Sequence, residues 1–151
     1  MGDGKTIIVQ AAPFDMGAVL NAFAETTDGA GAIVSFCGVV RDVAAGDLEA
    51  MVIEHYPGMT EKALAAIRED ALNRFSLSAA LILHRYGHLA PREPIMMVAT
   101  AAPHRSDAFA AAEFLMDYLK SRAPFWKKEI TGRGAEWVAA QDDDEAALRR
   151  W

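Results

Sequence analysis

The sequence predicts a single α+β domain, and three observations lead there. Short apolar runs rich in β-branched residues alternate with segments whose apolar residues recur at helical spacing. Several of these runs are joined by short turns, so a mixed or antiparallel sheet with flanking helices is expected in place of a purely parallel one. No repeat, low-complexity stretch or linker divides the 151 residues, a length that suits one domain with its own buried core.

The elements follow in order. Lys5–Gln10 reads as a short strand, and Pro13 follows it. Asp15 stands where a helix N-cap would, with Val19, Leu20 and Phe23 at helical spacing and Gly29 and Gly31 beyond the end. Ala32–Val40 is apolar and β-branched, a buried strand, and Leu48–His55 alternates. The loop Arg41–Asp47 joins these two as a long hairpin. Past Pro57-Gly58, Thr60 is placed to cap a helix reaching about Arg74, with Leu64, Ile67, Ala71 and Leu72 inward. Leu81–Tyr86 and Ile95–Ala102 are two more strands, separated by Gly87 and the turn Ala90–Pro94. Ser106 is placed to cap a third helix to about Ser121, with Phe109, Ala112, Phe114, Leu115 and Leu119 as its apolar contacts. Pro124 ends it, because proline disfavours helical geometry in the residue before it. Phe125–Thr131 and Trp137-Val138 are strands about a turn at Gly132 and Gly134. The segment from Asp142 reads as a helix opening on acids and closing on Arg149-Arg150. The expected domain spans 1–151, with a core over about 5–140 and a tail over 141–151.

Composition narrows the class of function. With 52% hydrophobic and 24% charged residues the chain is globular, not disordered. The longest apolar runs, such as Ala79–Leu83 and Ile95–Ala102, fall far short of the roughly 20 residues a membrane span needs. The opening Met-Gly-Asp-Gly-Lys has no apolar core of the secretory kind, so the cytoplasm is the expected location. One cysteine excludes an internal disulfide framework. A net charge of −6 argues against general nucleic-acid binding. The charge is uneven, however. Lys120–Arg133 holds five basic residues against Glu129 alone, so this window carries +4 and the remainder −10. A local positive patch on an acidic chain suits a specific anion.

That patch, Lys120-Ser-Arg-Ala-Pro-Phe-Trp-Lys-Lys-Glu129, is the first candidate site. A lysine among other cations has its pKa pushed down, which supplies neutral amine as base or nucleophile. The competing reading is a solvated basic face, with Phe125 and Trp126 as core. Strand alternation sends Trp126 and Lys127 to opposite faces and leaves Phe125 and Lys127 on one. His104-Arg105 lies between a strand and a helix, where free backbone N–H groups favour phosphate or carboxylate. Its competing reading is a packed histidine beside a surface ion pair. Arg41 closes an apolar strand at the mouth of a loop, as a ligand contact or as a surface arginine. Cys37 reads as a buried, inert thiol. His55, His84 and His88 lack ligand spacing, so no metal site is expected.

Four segments carry a resemblance that extends over nearly the whole chain. They are Glu54-His-Tyr-Pro-Gly-Met-Thr-Glu-Lys62, His84-Arg-Tyr-Gly87, Ala102-Pro-His-Arg-Ser106 and Met116-Asp-Tyr-Leu-Lys-Ser-Arg-Ala-Pro-Phe-Trp-Lys-Lys-Glu129. Together they closely resemble the MoaE family, the large, catalytic subunit of molybdopterin synthase. The resemblance implies an α/β hammerhead-type fold and a homodimer that binds two small ubiquitin-like subunits to form a heterotetramer. It implies sulphur transfer from the thiocarboxylated Gly-Gly tail of the small subunit to precursor Z, a cyclic pyranopterin monophosphate, giving molybdopterin. No cofactor is implied beyond that substrate and donor. Lys120 and Lys127 match the family's catalytic lysines. Arg41, His104 and Arg105 match positions lining the substrate and anion pocket, and Phe36 and Met116 match neighbouring pocket or tail contacts. Lys128 continues the motif in place of an arginine seen in some members. Two departures stand out: Val39, where many members have lysine, and Gln141, where some have an arginine serving the neighbouring subunit's pocket. The alternative function is a non-catalytic module that only binds the small subunit's tail. Retention of both lysines and the His-Arg pair argues against it.

Overall fold

Two strands that are buried along nearly their whole length organise the molecule. The computed structural model describes residues 6–138 and 142–151. Ala79–Arg85 (β4) and Pro94–Ala102 (β6) pair antiparallel and are buried along almost every residue. A strand covered on both faces reads as a near-continuous apolar run, as both segments do apart from Thr100 and the closing His84-Arg85. Ile7–Gln10 (β1) adds parallel to β4, and Ala32–Val39 (β2) adds antiparallel to β6. The result is a mixed sheet in the order β1-β4-β6-β2. Side chains alternate between two cores. Ile82, Met96 and Val98 enter the larger one, whereas Leu81, Leu83, Met97, Ala99 and Ala101 enter a smaller one beneath the first helix.

A second, antiparallel sheet forms beside the first. Leu48–His55 (β3) lies between Gly87–Leu89 (β5) and Phe125–Thr131 (β7), and Gly134–Trp137 (β8) completes the order β5-β3-β7-β8. Met51 and Ile53 of β3 join the larger core, which fuses the two sheets. The structure therefore has the predicted α+β character with mixed and antiparallel pairing, but in two sheets. The expected hairpin of β2 and β3 does not exist: β2 pairs with β6 and β3 with β5 and β7. The chain between them crosses from one sheet to the other. Its path is fixed by Val40, buried and exchanging backbone bonds with Glu93 (2.9 Å) and Arg92 (2.8 Å), and by Asp42 Oδ1, which accepts from Leu48 N–H (3.0 Å). β5 was not anticipated, since a three-residue strand opening on a glycine leaves no periodic signal.

The helices begin and end for local reasons. Met16–Glu25 (α1) is capped by Asp15 Oδ1, which accepts from Ala18 N–H at 3.0 Å, as expected. Met59–Arg74 (α2) starts one residue before Thr60, and the Glu61 carboxylate caps it instead by accepting from Gly58 N–H (2.8 Å). Thr60 is fully buried. Its hydroxyl donates to Tyr56 O (2.8 Å) and accepts from Tyr56 N–H (3.2 Å), with His55 Nδ1 3.1 Å away. Arg105–Arg122 (α3) likewise starts before Ser106, with His104 at the N-cap position and no side-chain cap bond. It stops at Arg122 because Ala123, preceding Pro124, is held extended (φ −76°, ψ 138°). Any side chain at Gly31 would force the backbone to shift, because a Cβ there would collide with the Pro103 carbonyl oxygen.

The last described segment folds back over α3. Asp142–Ala147 (α4) leads into a 3₁₀ turn, Leu148–Arg150. The Trp151 ring then meets Phe75 and Phe114 edge-on, with centroids 5.6 and 5.5 Å away. Its indole N–H donates to Asp117 Oδ2 at 2.6 Å, and Arg74 Nη2 donates to its carbonyl oxygen at 2.7 Å. Arg150 reaches Asp117 (2.7 Å) and Glu113 (3.3 Å). This anchoring places α4 over the C-terminal half of α3, where the candidate residues lie.

Candidate active site

α3 presents two stripes at helical spacing. Ala108, Ala111, Ala112, Leu115 and Leu119 form the buried one. Phe109, Glu113, Met116 and Lys120 form the other, which lines a groove of about 490 Å³ against Val34, Ser35 and Phe36 of β2. Phe109, expected in the core, is 62% exposed and belongs to this groove. The signal was present in the sequence, because Phe109 shares its spacing with Met116 and Lys120 and not with Leu115 and Leu119. The groove is apolar along Phe36, Phe109 and Met116, carries Glu113, Asp117 and Asp144 on its wall, and reaches the Lys120 ammonium.

Beyond Lys120 lies a second, more polar cleft of about 380 Å³. His84, Lys120, Ser121, Phe125, Trp126, Lys127 and Asp144 are among its walls. Pro124 turns the chain from α3 into β7, and the register of β7 decides which side chains enter. Phe125 and Lys127 lie opposite His55 and Ile53, on the inward side, whereas Trp126 and Lys128 lie opposite Glu54 and Val52. The expected division of faces therefore holds. Trp126 is half exposed, and Lys128 Nζ sits 5.0 Å from the Trp137 ring centroid on the outer face.

Burial is the main cause that lowers the Lys127 pKa, the Lys120 charge adds to it, and Asp144 opposes it. That partly confirms the expectation of a depressed lysine: it holds for Lys127, with burial ahead of the neighbouring cation. His84 is more strongly perturbed. It is buried, stacks on Phe125 at 3.7 Å between centroids, and has its pKa pushed down to about 3, first by burial and then by Lys127 and His55. Its Nδ1 lies 2.7 Å from the Arg85 carbonyl oxygen, the one contact that raises its pKa. Arg85 is itself buried. It donates to Ala11 O (3.0 and 3.1 Å) and Pro94 O (3.2 Å), which fixes the strand end that carries His84. Ser121 Oγ is buried without a hydrogen-bond partner among the described residues. Sequence reasoning did not single out His84, Ser121 or Asp144 for the site, because contacts across the sheets, not spacing, bring them there.

The remaining candidates lie elsewhere. Arg41 follows the end of β2 and is exposed, towards the same end of the fold as Lys120, since β2 and α3 both run back along β6. His104 and Arg105 open α3 at its other end and are exposed. Fifteen residues of helix at about 1.5 Å each put roughly 22 Å between Arg105 and Lys120. Neither Arg41, His104, Arg105 nor Lys128 lines the groove or the cleft. Val39 is 44% exposed at the bulged end of β2, and Gln141 lies outside the described residues. Cys37 is half-buried where a buried thiol was expected, and what burial it has pushes its thiol pKa up. Among the described residues no cluster of three His, Cys, Asp or Glu side chains could hold a metal ion.

Comparison with known proteins agrees over the length of the chain. The family described as MoaE protein matches residues 9–122. The molybdopterin synthase catalytic subunit of Cereibacter sphaeroides is 67% identical over 145 residues, covering 96% of this chain and 99% of that protein. The molybdopterin synthase catalytic subunit of Escherichia coli is 48% identical over 146 residues, covering 96% and 97%. Among solved structures, the molybdopterin biosynthesis MoaE protein of Burkholderia ambifaria superposes with a TM-score of 0.83 at 49% identity, covering 97% of each chain. The family match stops at Arg122, short of Lys127, but the alignments to these relatives leave only a few residues of the chain uncovered.

Proposed function

The chain belongs to the MoaE family, that of the molybdopterin synthase catalytic subunit, and from that premise we propose that sulphur transfer takes place around Lys120 and Lys127. The enzyme is a molybdopterin synthase of molybdenum cofactor biosynthesis. The observation that carries the site assignment is that one ammonium, Lys120, closes an apolar groove on one side and opens a polar cleft on the other. The groove suits an extended peptide tail, with Phe36 and Met116 as its contacts. The cleft suits the pterin. Both reactants are anions, the thiocarboxylate of a small ubiquitin-like subunit and the cyclic phosphate of precursor Z, and the two lysines offset their repulsion.

In this reading Lys120 contacts the terminal carbonyl of the tail and stabilises charge developing there as sulphur attacks the pterin. A carbon–sulphur bond forms on the substrate as a carbon–oxygen bond at the same carbon breaks, the displaced oxygen taking up a proton. The acyl–sulphur bond then breaks by hydrolysis, so that oxygen from water stays on the tail as carboxylate and sulphur stays on the pterin as thiolate. Lys127, with its lowered pKa, steers the substrate and moves the proton. Two rounds complete the dithiolene, and no metal or prosthetic group is required of the chain itself. His104 and Arg105 lie too far from Lys120 to serve the same cleft within one chain. That separation favours a homodimer whose second copy brings them in, with two small subunits completing a heterotetramer. The cytoplasm is the proposed location, in keeping with relatives that are biosynthetic enzymes. No helix among the described residues is long and apolar enough to cross a membrane.

The test combines the purified chain, precursor Z and the small subunit in either its thiocarboxylate or its carboxylate form. Fluorescent oxidised pterin is expected with the thiocarboxylate alone. Tail binding without product would favour the non-catalytic module, and product from free sulphide without any partner would overturn the proposed donor.

A further inference from the structure

The Lys120–Lys127 cleft holds one group that the lysine mechanism leaves idle. His84 comes from the centre of the mixed sheet, β4, yet its ring reaches the cleft wall formed by α3 and β7. Three constraints fix that ring. Its face lies against Phe125, 3.7 Å between centroids with 14° between planes. Its Nδ1 lies 2.7 Å from the backbone oxygen of Arg85, and since a carbonyl can only accept, Nδ1 carries the hydrogen. Arg85 is in turn held by three guanidinium donors on the carbonyls of Ala11 and Pro94. The acceptor lone pair of the imidazole is therefore on Nε2.

The surrounding charges give that lone pair a purpose. As ammonium ions Lys120 and Lys127 are donors only, and they suit the anionic oxygens and sulphur of the reactants. Asp144, the described carboxylate in the cleft wall, is an acceptor but an anion, and it repels a negatively charged substrate. A reduced pterin also carries ring N–H and O–H groups, and donors entering a cleft rich in cations need an acceptor without charge. His84 meets that need because burial keeps its imidazole neutral at the pH of the cell.

We infer that His84 presents Nε2 as a fixed, uncharged hydrogen-bond acceptor for an N–H or O–H of the pterin substrate, and so helps to select it. The inference rests on the reading of this cleft as the sulphur-transfer site. His84 is a binding contact, not a proton carrier, so its loss falls on KM and not on kcat.

The experiment uses the chain with thiocarboxylated small subunit and precursor Z, and measures kcat, KM and the thermal midpoint. His84→Phe keeps a flat ring on Phe125 and removes the acceptor. His84→Gln returns an oxygen near the place of Nε2. A KM raised roughly 3–10-fold in the Phe variant, the worth of one hydrogen bond, and restored to within about twofold by Gln supports the assignment. An unchanged KM in the Phe variant overturns it, as does an equal rise in both variants, which would mark a role of shape alone. His84→Leu, also without an acceptor, takes the place of Phe if that variant does not fold. Lys120→Ala is run alongside. If it turns over normally, the site reading fails and takes this inference with it. If it is inactive while His84→Phe behaves as wild type, the inference alone fails.

Discussion

Acid should unfold this protein partly through His84, and replacing that residue isolates its share. The ring is 5% exposed, and its pKa is pushed from 6.5 to about 3. Because the folded value lies below the unfolded one, the unfolded chain binds more protons between these two pH values. Stability contributed by the neutral ring is thus complete above pH 6.5 and is lost as pH falls towards 3. The slope is about 1.4 kcal/mol per pH unit between the two values, so the loss reaches roughly 2 kcal/mol at pH 5 and about 4 kcal/mol near pH 3. His84→Phe removes the titration but keeps the burial. Urea unfolding from pH 8 to 4 in both proteins, taken as a difference, cancels the carboxylates they share. The variant should fall behind or match the wild type at pH 8 and overtake it in relative terms as pH drops. Parallel stability profiles across this range would refute the buried neutral ring.

Three further outcomes are expected. Lys120 is exposed in the last turn of α3, so Lys120→Ala should change stability by less than about 0.5 kcal/mol. Dithiolene formation should nevertheless fall by roughly 10²–10³-fold, the loss typical of one charge-stabilising donor, and unimpaired single-turnover product would contradict its role. Asp144 supports the charged form of Lys127, so Asp144→Asn should lower the Lys127 pKa further and shift the acid limb of the pH–rate profile to lower pH. A shift to higher pH would show that the limb belongs to another group. Gly31→Ala places a methyl against the Pro103 carbonyl and should cost about 1–3 kcal/mol, read as a lower urea midpoint. An unchanged midpoint would mean that the turn after Ala102 yields freely.

Much of this was legible in the sequence because it was local. The alternation in β7 placed Phe125 and Lys127 together, Asp15 announced α1, and Pro124 ended α3 where it should. Partner choice was not local. An eight-residue gap between β2 and β3 is compatible with a hairpin or a crossover, and what decides is burial on β6 and β7, far along the chain. Capping misled for a related reason. Thr60 had a better use for its hydroxyl, inside, beside His55, and left the helix start to Glu61. Within the site, the lysines were conspicuous as charges, whereas His84 was hidden in an apolar strand. Its role depends on a stacking partner 41 residues away in sequence.

The position of Lys120 between two separate hollows also has a kinetic meaning. A site with one mouth must fill in a fixed order, since the first arrival blocks the second. Here the groove along α3 and the cleft behind Pro124 are distinct hollows that share the Lys120 ammonium and the Asp144 carboxylate. If the tail takes the groove and the pterin the cleft, either can be seated while the other entrance stays free, and the expected scheme is a ternary complex with random addition. Double-reciprocal plots for such a scheme intersect, and neither reactant has to leave before the other binds.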